Sequence, residues 1–286
     1  MDIIRTVEQL KKVVDKIKKE NKSIGLVPTM GALHEGHLSL VNRAVKENDI
    51  TIVSVFVNPT QFNNPQDLAS YPRTEKEDTA RLDAASVDYA FIPSVNEVYP
   101  EPDNRVFNLG QVAEVMEGAM RPGHFNGVAQ IVSKLFDWTK PDKAYFGEKD
   151  FQQIAVIKSM VNNEGYTLQI VECPISRESD GLARSSRNTR LSAQQREIAP
   201  KIYETLNISR QWSKDGLSPR QVEQKVTEII NSIPGLDTEY FTIVDSATLL
   251  PIESWDTYKA TSGSYPVGCI TVYCGQVRLI DNIKYI

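Results

Sequence analysis

Residues Ile50 to Val57 read ITIVSVFV, a nearly unbroken apolar run that leaves no polar face to turn toward water. A strand of this kind is covered on both sides, as in parallel sheets whose crossover helices lie on the two faces. The neighbouring segments fit such a sheet. Val7, Leu10, Val13, Val14 and Ile17 fall on one face of an opening helix, with Thr6 placed as its N-cap. A strand is expected over Ile24 to Val27, and Leu40, Val41, Ala44 and Val45 mark the helix that leads to the Ile50 strand. Thr74 and Glu77 suggest a capping box for a helix to about Ala85, followed by a strand over Tyr89 to Ile92. Strands are also expected over Lys143 to Phe146 and Thr167 to Val171, separated by a helix from about Lys149 to Asn163.

Strand, helix, strand order repeated in this way implies an α/β protein, a Rossmann-like doubly wound parallel sheet with right-handed crossovers. Beyond Pro174 the pattern changes. A polar loop rich in Arg and Ser precedes helices near Ser192 to Ser213 and Pro219 to Ser232, then strands near Glu239 to Val244 and Val267 to Tyr273. We therefore expect residues 1–175 to form the main domain and residues 176–286 a smaller C-terminal α+β lid.

A formal net charge of -5 argues against a broad basic face for nucleic acid, which needs clustered Lys and Arg to neutralise phosphates. The first twenty residues alternate apolar and charged side chains at helical spacing, unlike a signal peptide, and no apolar run approaches the length of a membrane span. Cys173, Cys269 and Cys274 are odd in number and form no C-x-x-C pair, so neither a disulfide framework nor a zinc knuckle is expected. These features suit a soluble, reduced, cytoplasmic protein that handles small molecules.

Two of the three histidines, His34 and His37, lie in one H-x-G-H quartet between a predicted strand and a predicted helix. Residues three apart in a first helical turn share a face, where free N–H groups and the positive end of the helix dipole attract phosphate. Gly36 leaves room for a nucleotide to approach the backbone. An isolated pair at this spacing also suits surface or capping roles, whereas zinc fits poorly without a third ligand. Gly147 to Asp150, GEKD, again follows a strand and opens a helix. Lys149 there stands against the dipole, which hints at an anionic ligand, although most lysines at such places are solvated. Arg184 to Asn188, RSSRN, offers guanidinium and hydroxyl groups suited to a triphosphate, although a loop of this composition is often only a connector.

The runs PTMGALHEGH, FVNPTQF, YPRT, RPGHFNGV, YFGEKDFQQ and DGLARSSRN occur in the order found in pantothenate synthetases, and the sequence resembles that family from Pro28 to Asn188. The resemblance implies an AMP-forming ligase of the H-x-G-H nucleotidyltransferase superfamily. It would activate pantoate with ATP as an adenylate and transfer it to β-alanine. ATP would be bound by Met30, Gly31, Ala32, Leu33, His34, Glu35, Gly36 and His37, by Gly147, Glu148, Lys149 and Asp150, and by Ser176, Arg184, Ser185, Ser186 and Arg187. His37, His34, Lys149, Ser185, Ser186 and Arg187 would act in catalysis, with His37 as the family's catalytic histidine. Gln61 and Gln153 would hold pantoate, and Gln152 would be a helix-face residue.

The resemblance further implies Mg²⁺ on the triphosphate, with no protein ligand assigned, and a homodimer. Asn63 to Leu68 stand where the family has a more glycine-rich loop. Arg121 and His124 suit either the active site or the dimer interface, and Pro122 and Gly123 read as a tight turn. The ATP motifs alone would also fit a nucleotidyltransferase that makes a dinucleotide-type cofactor, but the Gln61 and Gln153 runs speak against it. The acidic balance disfavours a tRNA synthetase. A silent binding protein on the same fold is disfavoured by intact His34, His37, Lys149 and Arg187.

Overall fold

A computed structural model describes residues 1–260 and 263–285. The chain divides into two compact units, one of Met1–Glu148 with Val156–Pro174, the other of Lys149–Ala155 with Ile175–Ile286. The second unit thus takes a short segment from inside the run expected for the first.

The first unit is built on six strands, β1 (Asp2–Ile4), β2 (Ile24–Thr29), β3 (Ile50–Val55), β4 (Tyr89–Phe91), β5 (Lys143–Gly147) and β6 (Gln169–Cys173). They form one wholly parallel sheet in the order β1-β4-β3-β2-β5-β6. β3 is buried along nearly its whole length, as its apolar run requires. Val27, Val53, Ala90, Tyr145 and Val171 form one core with Val41 and Ala44 of the helix Glu35–Glu47 and Leu82 of the helix Glu75–Ala84. The helices Val7–Lys19 and His124–Thr139 pack on each other, and the second also packs on β2. The chain runs from β2 outward through β3 and β4, then returns to place β5 on the other side of β2, so the sheet order switches between β2 and β5. In open α/β sheets such a switch opens a crevice at the carboxyl ends of the strands, the usual place for a ligand.

The second unit is an antiparallel sheet, β7 (Leu236–Asp245), β8 (Pro266–Cys274) and β9 (Val277–Lys284), covered by the helices Lys201–Lys214 and Pro219–Asn231. Val222, Val226, Ile230, Ile243, Ile270 and Val272 lie at the centre of its core.

Thr6 forms the expected cap, accepting from the Gln9 N–H at 3.2 Å, and Leu10, Val14 and Ile17 are buried. Thr74 forms no capping box with Glu77. It is the N-cap, but its hydroxyl donates to Asp78 Oδ2 at 3.2 Å. The helix expected from Lys149 begins at Phe151, after a 3-10 turn over Glu148–Asp150. The helix expected over Ser192 to Ser213 is two, Ala193–Ile198 and Lys201–Lys214, because Pro200 between them has no N–H to continue the ladder. Asn63 to Leu68 is ordered by the Asn64-capped helix Pro65–Ser70 and by Asn63 Nδ2 donating to the Pro122 carbonyl at 2.6 Å. The tight turn at Pro122 and Gly123 leads into His124–Thr139, a helix not expected from the sequence. Most of its residues are buried, so its polar side narrows to Asn126, Gln130, Lys134 and Asp137, a thin stripe in a largely apolar run. β1 and β9 were also not expected.

Candidate active site

The His-x-Gly-His quartet begins just beyond β2, at the sheet's switch point. His34 is the N-cap of the helix Glu35–Glu47 and His37 its third residue, and together they form a reciprocal capping box. His34 Nδ1 accepts from the Gly36 N–H at 3.1 Å, and His37 Nδ1 accepts from the His34 N–H at 3.3 Å. Their ring centroids are 4.1 Å apart. An Nδ1 that accepts a backbone hydrogen carries none itself, so each neutral ring holds its proton on Nε2. Two of the first-turn amides are engaged within the box, Gly36 by the His34 ring and His37 by the His34 carbonyl at 2.8 Å. For these two residues, the donors suited to an anion are the ring Nε2–H groups.

The turn leading into the box is strained. Gly31 has φ 78° and Ala32 φ 49°, and a left-handed conformation costs a non-glycine residue about 1–2 kcal/mol. Asp78, only 1% exposed, holds it: its Oδ2 accepts the Ala32 N–H at 2.9 Å and its Oδ1 the Leu33 N–H at 2.7 Å. Arg81 Nη1 donates to the Leu33 carbonyl at 2.7 Å, and the Leu33 side chain lies in the core. Gly31 donates its N–H to Thr29 Oγ1 at 3.2 Å. Gly31, Ala32 and Leu33 thus form a frame that aims the histidines, while Glu35 is exposed.

Gln61 closes the 3-10 turn Pro59–Gln61. Asn58, buried, donates from Nδ2 to Gln61 Oε1 at 3.0 Å and to the Gly127 carbonyl at 3.0 Å, and its Oδ1 accepts from Tyr99 Oη at 2.8 Å. With its oxygen toward Asn58, the Gln61 amide turns Nε2 to Met30, 3.3 Å from Sδ. His124 packs beneath this turn. Arg121 Nη1 lies 3.2 Å from its Nε2, so Nδ1 carries the proton and donates to the Gln61 carbonyl at 2.8 Å. Gly127 allows the close approach, since a Cβ there would press into the Thr60 carbonyl. Gly127→Ala, normally favourable inside a helix, is expected to cost about 1–3 kcal/mol by overpacking and to weaken whatever Gln61 binds. Thermal melting checks this, and an unchanged or higher melting temperature would contradict it.

In the second unit, Lys149 and Asp150 lie in the turn before Phe151, with Lys149 Nζ 3.7 Å from Asp150 Oδ2. Gln153 is half-buried in the first turn of the helix Phe151–Glu164, and Gln152 beside it is buried. Ser176 accepts the Arg184 N–H on its carbonyl at 3.0 Å. The Arg184 guanidinium is engaged by Glu178 at 3.1 Å and the Arg177 carbonyl at 3.2 Å. Ser185 caps the 3-10 turn Ser186–Arg190 by accepting the Arg187 N–H on Oγ at 3.3 Å. Gly147 ends β5 and Glu148 opens the 3-10 turn that follows, both in the first unit.

Met30 to His37 and Gln61 are therefore brought together in one unit, and Lys149, Gln153 and Ser176 to Arg187 belong to the other. Sequence reasoning did not single out Asn58 or Asp78. Asn58 stood inside the quoted FVNPTQF run, a polar residue directly after an apolar strand. Asp78 gave no signal, because an acid in a first helical turn is ordinarily a solvated dipole partner. Among the described residues, no group of three or more His, Cys, Asp and Glu is placed to hold a metal ion, and no helix is long and apolar enough to cross a membrane.

The His-x-Gly-His box lies at the switch point of a parallel α/β sheet, where proteins of this open α/β class bind their ligands. The profile of the family described as pantoate-beta-alanine ligase matches residues 2–284. The pantothenate synthetase of Porphyromonas gingivalis is 60% identical over 286 residues, covering 100% of this chain and 99% of that protein. That of Caldicellulosiruptor bescii is 43% identical over 284 residues, covering 99% and 98%. The crystal structure of pantothenate synthetase from Thermus thermophilus superposes with a TM-score of 0.91 at 41% identity over 100% of both chains. The pantoate-beta-alanine ligase of Francisella tularensis, solved in complex with beta-gamma ATP and β-alanine, gives 0.82 at 38% identity over 99% of this chain and 97% of that one. The chain belongs to the pantoate–β-alanine ligase family, and this sets aside the dinucleotide-forming alternative.

Proposed function

We propose that the enzyme joins pantoate to β-alanine at the expense of ATP, and that it does so through a pantoyl adenylate. Family membership carries the overall reaction, and the box that locks His34 and His37 as Nε2–H donors carries the route. A carboxylate is a poor electrophile. Its oxygen attacks the α-phosphorus of ATP, the bond to the bridging oxygen of the leaving pyrophosphate breaks, and the acyl carbon acquires AMP as its leaving group. The β-alanine amine then attacks that carbon, and AMP departs with the former carboxylate oxygen.

Charge builds on the phosphates, and preorganised donors aimed there stabilise the transition state. We assign that role to His34, His37, Lys149 and Arg187, with Ser185 and Ser186 beside Arg187. Mg²⁺ enters as the counter-ion of the triphosphate of ATP. Gln61 and Gln153 bind pantoate, because an amide offers both donors and an acceptor to a ligand with hydroxyls and a carboxylate. Within Met30 to His37 we assign direct contacts to Met30, Gly36 and the two histidines, and the supporting frame to Gly31, Ala32 and Leu33. Gly147, Glu148, Asp150, Ser176 and Arg184 complete the nucleotide-binding segments. The cytoplasmic location and the homodimer implied by the resemblance stand with this reading.

Radiolabelled pyrophosphate is expected to exchange into ATP only when pantoate is present, and without β-alanine. Exchange that ignores pantoate would overturn the substrate assignment. Turnover of pantoate labelled with ¹⁸O in its carboxylate is expected to place one labelled oxygen in AMP. Label in orthophosphate, with ADP as the product, would overturn the adenylate route.

A further inference from the structure

Asp281 breaks the pattern of the last strand. β9 reads VRLIDNIK, and Val277, Leu279 and Ile283 point into the apolar core of the second unit. Side chains alternate along a strand, so Asp281 shares their face. It is 7% exposed. A carboxylate survives in such a place only when paired and hydrogen-bonded, since an isolated buried charge is costly. Burial pushes the Asp281 carboxyl above its usual range, against the pull of Arg177. Arg177 grips it with both ends of its guanidinium, Nη1 to Oδ2 at 2.6 Å and Nη2 to Oδ1 at 2.8 Å, and stacks over Tyr203 at 3.7 Å from the ring centroid.

The pair reaches two segments that are distant in sequence. Arg177 pairs with Ala183 in an antiparallel bridge, its Nη1 donates to the Gly181 carbonyl at 3.1 Å, and its own carbonyl accepts from Arg184 Nε at 3.2 Å. It therefore shapes the hairpin that runs directly into Ser185 and Arg187. The next residue of β9, Asn282, donates its N–H to Asp281 Oδ1 at 2.7 Å, and its Nδ2 donates to the Lys149 carbonyl at 3.3 Å.

We propose that Asp281 and Asn282 are positioning residues for nucleotide binding: Asn282 sets Lys149 through its peptide carbonyl, and Asp281, through Arg177, sets the hairpin that carries Ser185 to Arg187. This rests on the reading of Lys149 and Arg187 as phosphate ligands. A merely structural pair would lower stability without distinguishing one substrate from the other.

The test is pyrophosphate exchange by the full-length enzyme, with ATP and pantoate varied in turn. Asn282→Leu is expected to raise the KM for ATP about tenfold, the scale of one lost hydrogen bond, and to leave that for pantoate within about twofold. Lys149→Ala raises the KM for ATP by itself, and adding Asn282→Leu to it has little further effect, because Asn282 acts through Lys149. An equal rise for both substrates, or a full additional rise in the Lys149→Ala background, overturns the positioning role. An unchanged KM for ATP in Lys149→Ala overturns the phosphate reading itself, and with it the role of Asn282. Should Asn282→Leu fail to fold, Asn282→Ser carries the same cycle with a smaller side chain.

Discussion

Replacing His34 by Asn and His37 by Gln together is expected to leave the helix Glu35–Glu47 capped and the protein as stable as before, while pyrophosphate exchange all but disappears. Asn is among the best N-cap residues, and Gln three positions later can accept the N-cap N–H, so the double variant rebuilds with amides the box that His34 and His37 build with imidazoles. What it loses is the pair of Nε2–H donors. Removing one preorganised donor to a developing oxyanion costs roughly 10²–10³-fold in kcat, and that loss is expected for His37→Gln alone. The double variant is expected to lose at least as much. Thermal melting and exchange on the same preparations separate capping from catalysis. Near-native exchange with a native melting temperature would reduce both histidines to helix caps.

Asp78→Ala is expected to produce the largest loss of stability for a change of one polar residue in the first unit. Its carboxylate is buried beneath the strained Gly31–Ala32 turn and accepts two backbone hydrogens. Without it, the Ala32 and Leu33 amides lose their acceptor, at about 1–3 kcal/mol for each buried donor left unmatched. Because the turn leads directly into His34, exchange is expected to fall as well. Asp78→Asn is expected to be intermediate, since its oxygen can serve one amide while its NH₂ group opposes the other. Differential scanning calorimetry ranks the three proteins. A melting temperature and exchange rate for Asp78→Ala that both match the parent would show that the turn holds its shape without the carboxylate.

The parallel sheet was legible in the sequence because buried strands write themselves as apolar runs, and β3 is buried along nearly its whole length as ITIVSV implied. β1 and β9 were not legible. The first is three residues long, and the second carries Asp281 and Asn282 where a half-buried strand would alternate. Thr74 and Glu77 have the spacing of a capping box, yet the Thr74 hydroxyl goes to Asp78. Spacing states which bonds are within reach, and competition among partners decides which one forms.

By itself the sequence determined the α/β class, the strand-to-helix setting of His34 and His37, and the family, because periodicity and ordered short runs are local properties of the chain. The tertiary structure alone decided how those residues are held. Asp78 meets the Ala32 amide across 46 residues, and Asn282 meets the Lys149 carbonyl across 133. No local period encodes such pairings. A buried acid becomes tolerable only when the fold delivers its donors, and a histidine tautomer is set only when a backbone amide arrives at one ring nitrogen. Residue identity thus supplied the chemistry available to the site, and long-range hydrogen bonding chose the orientation and protonation in which it is used.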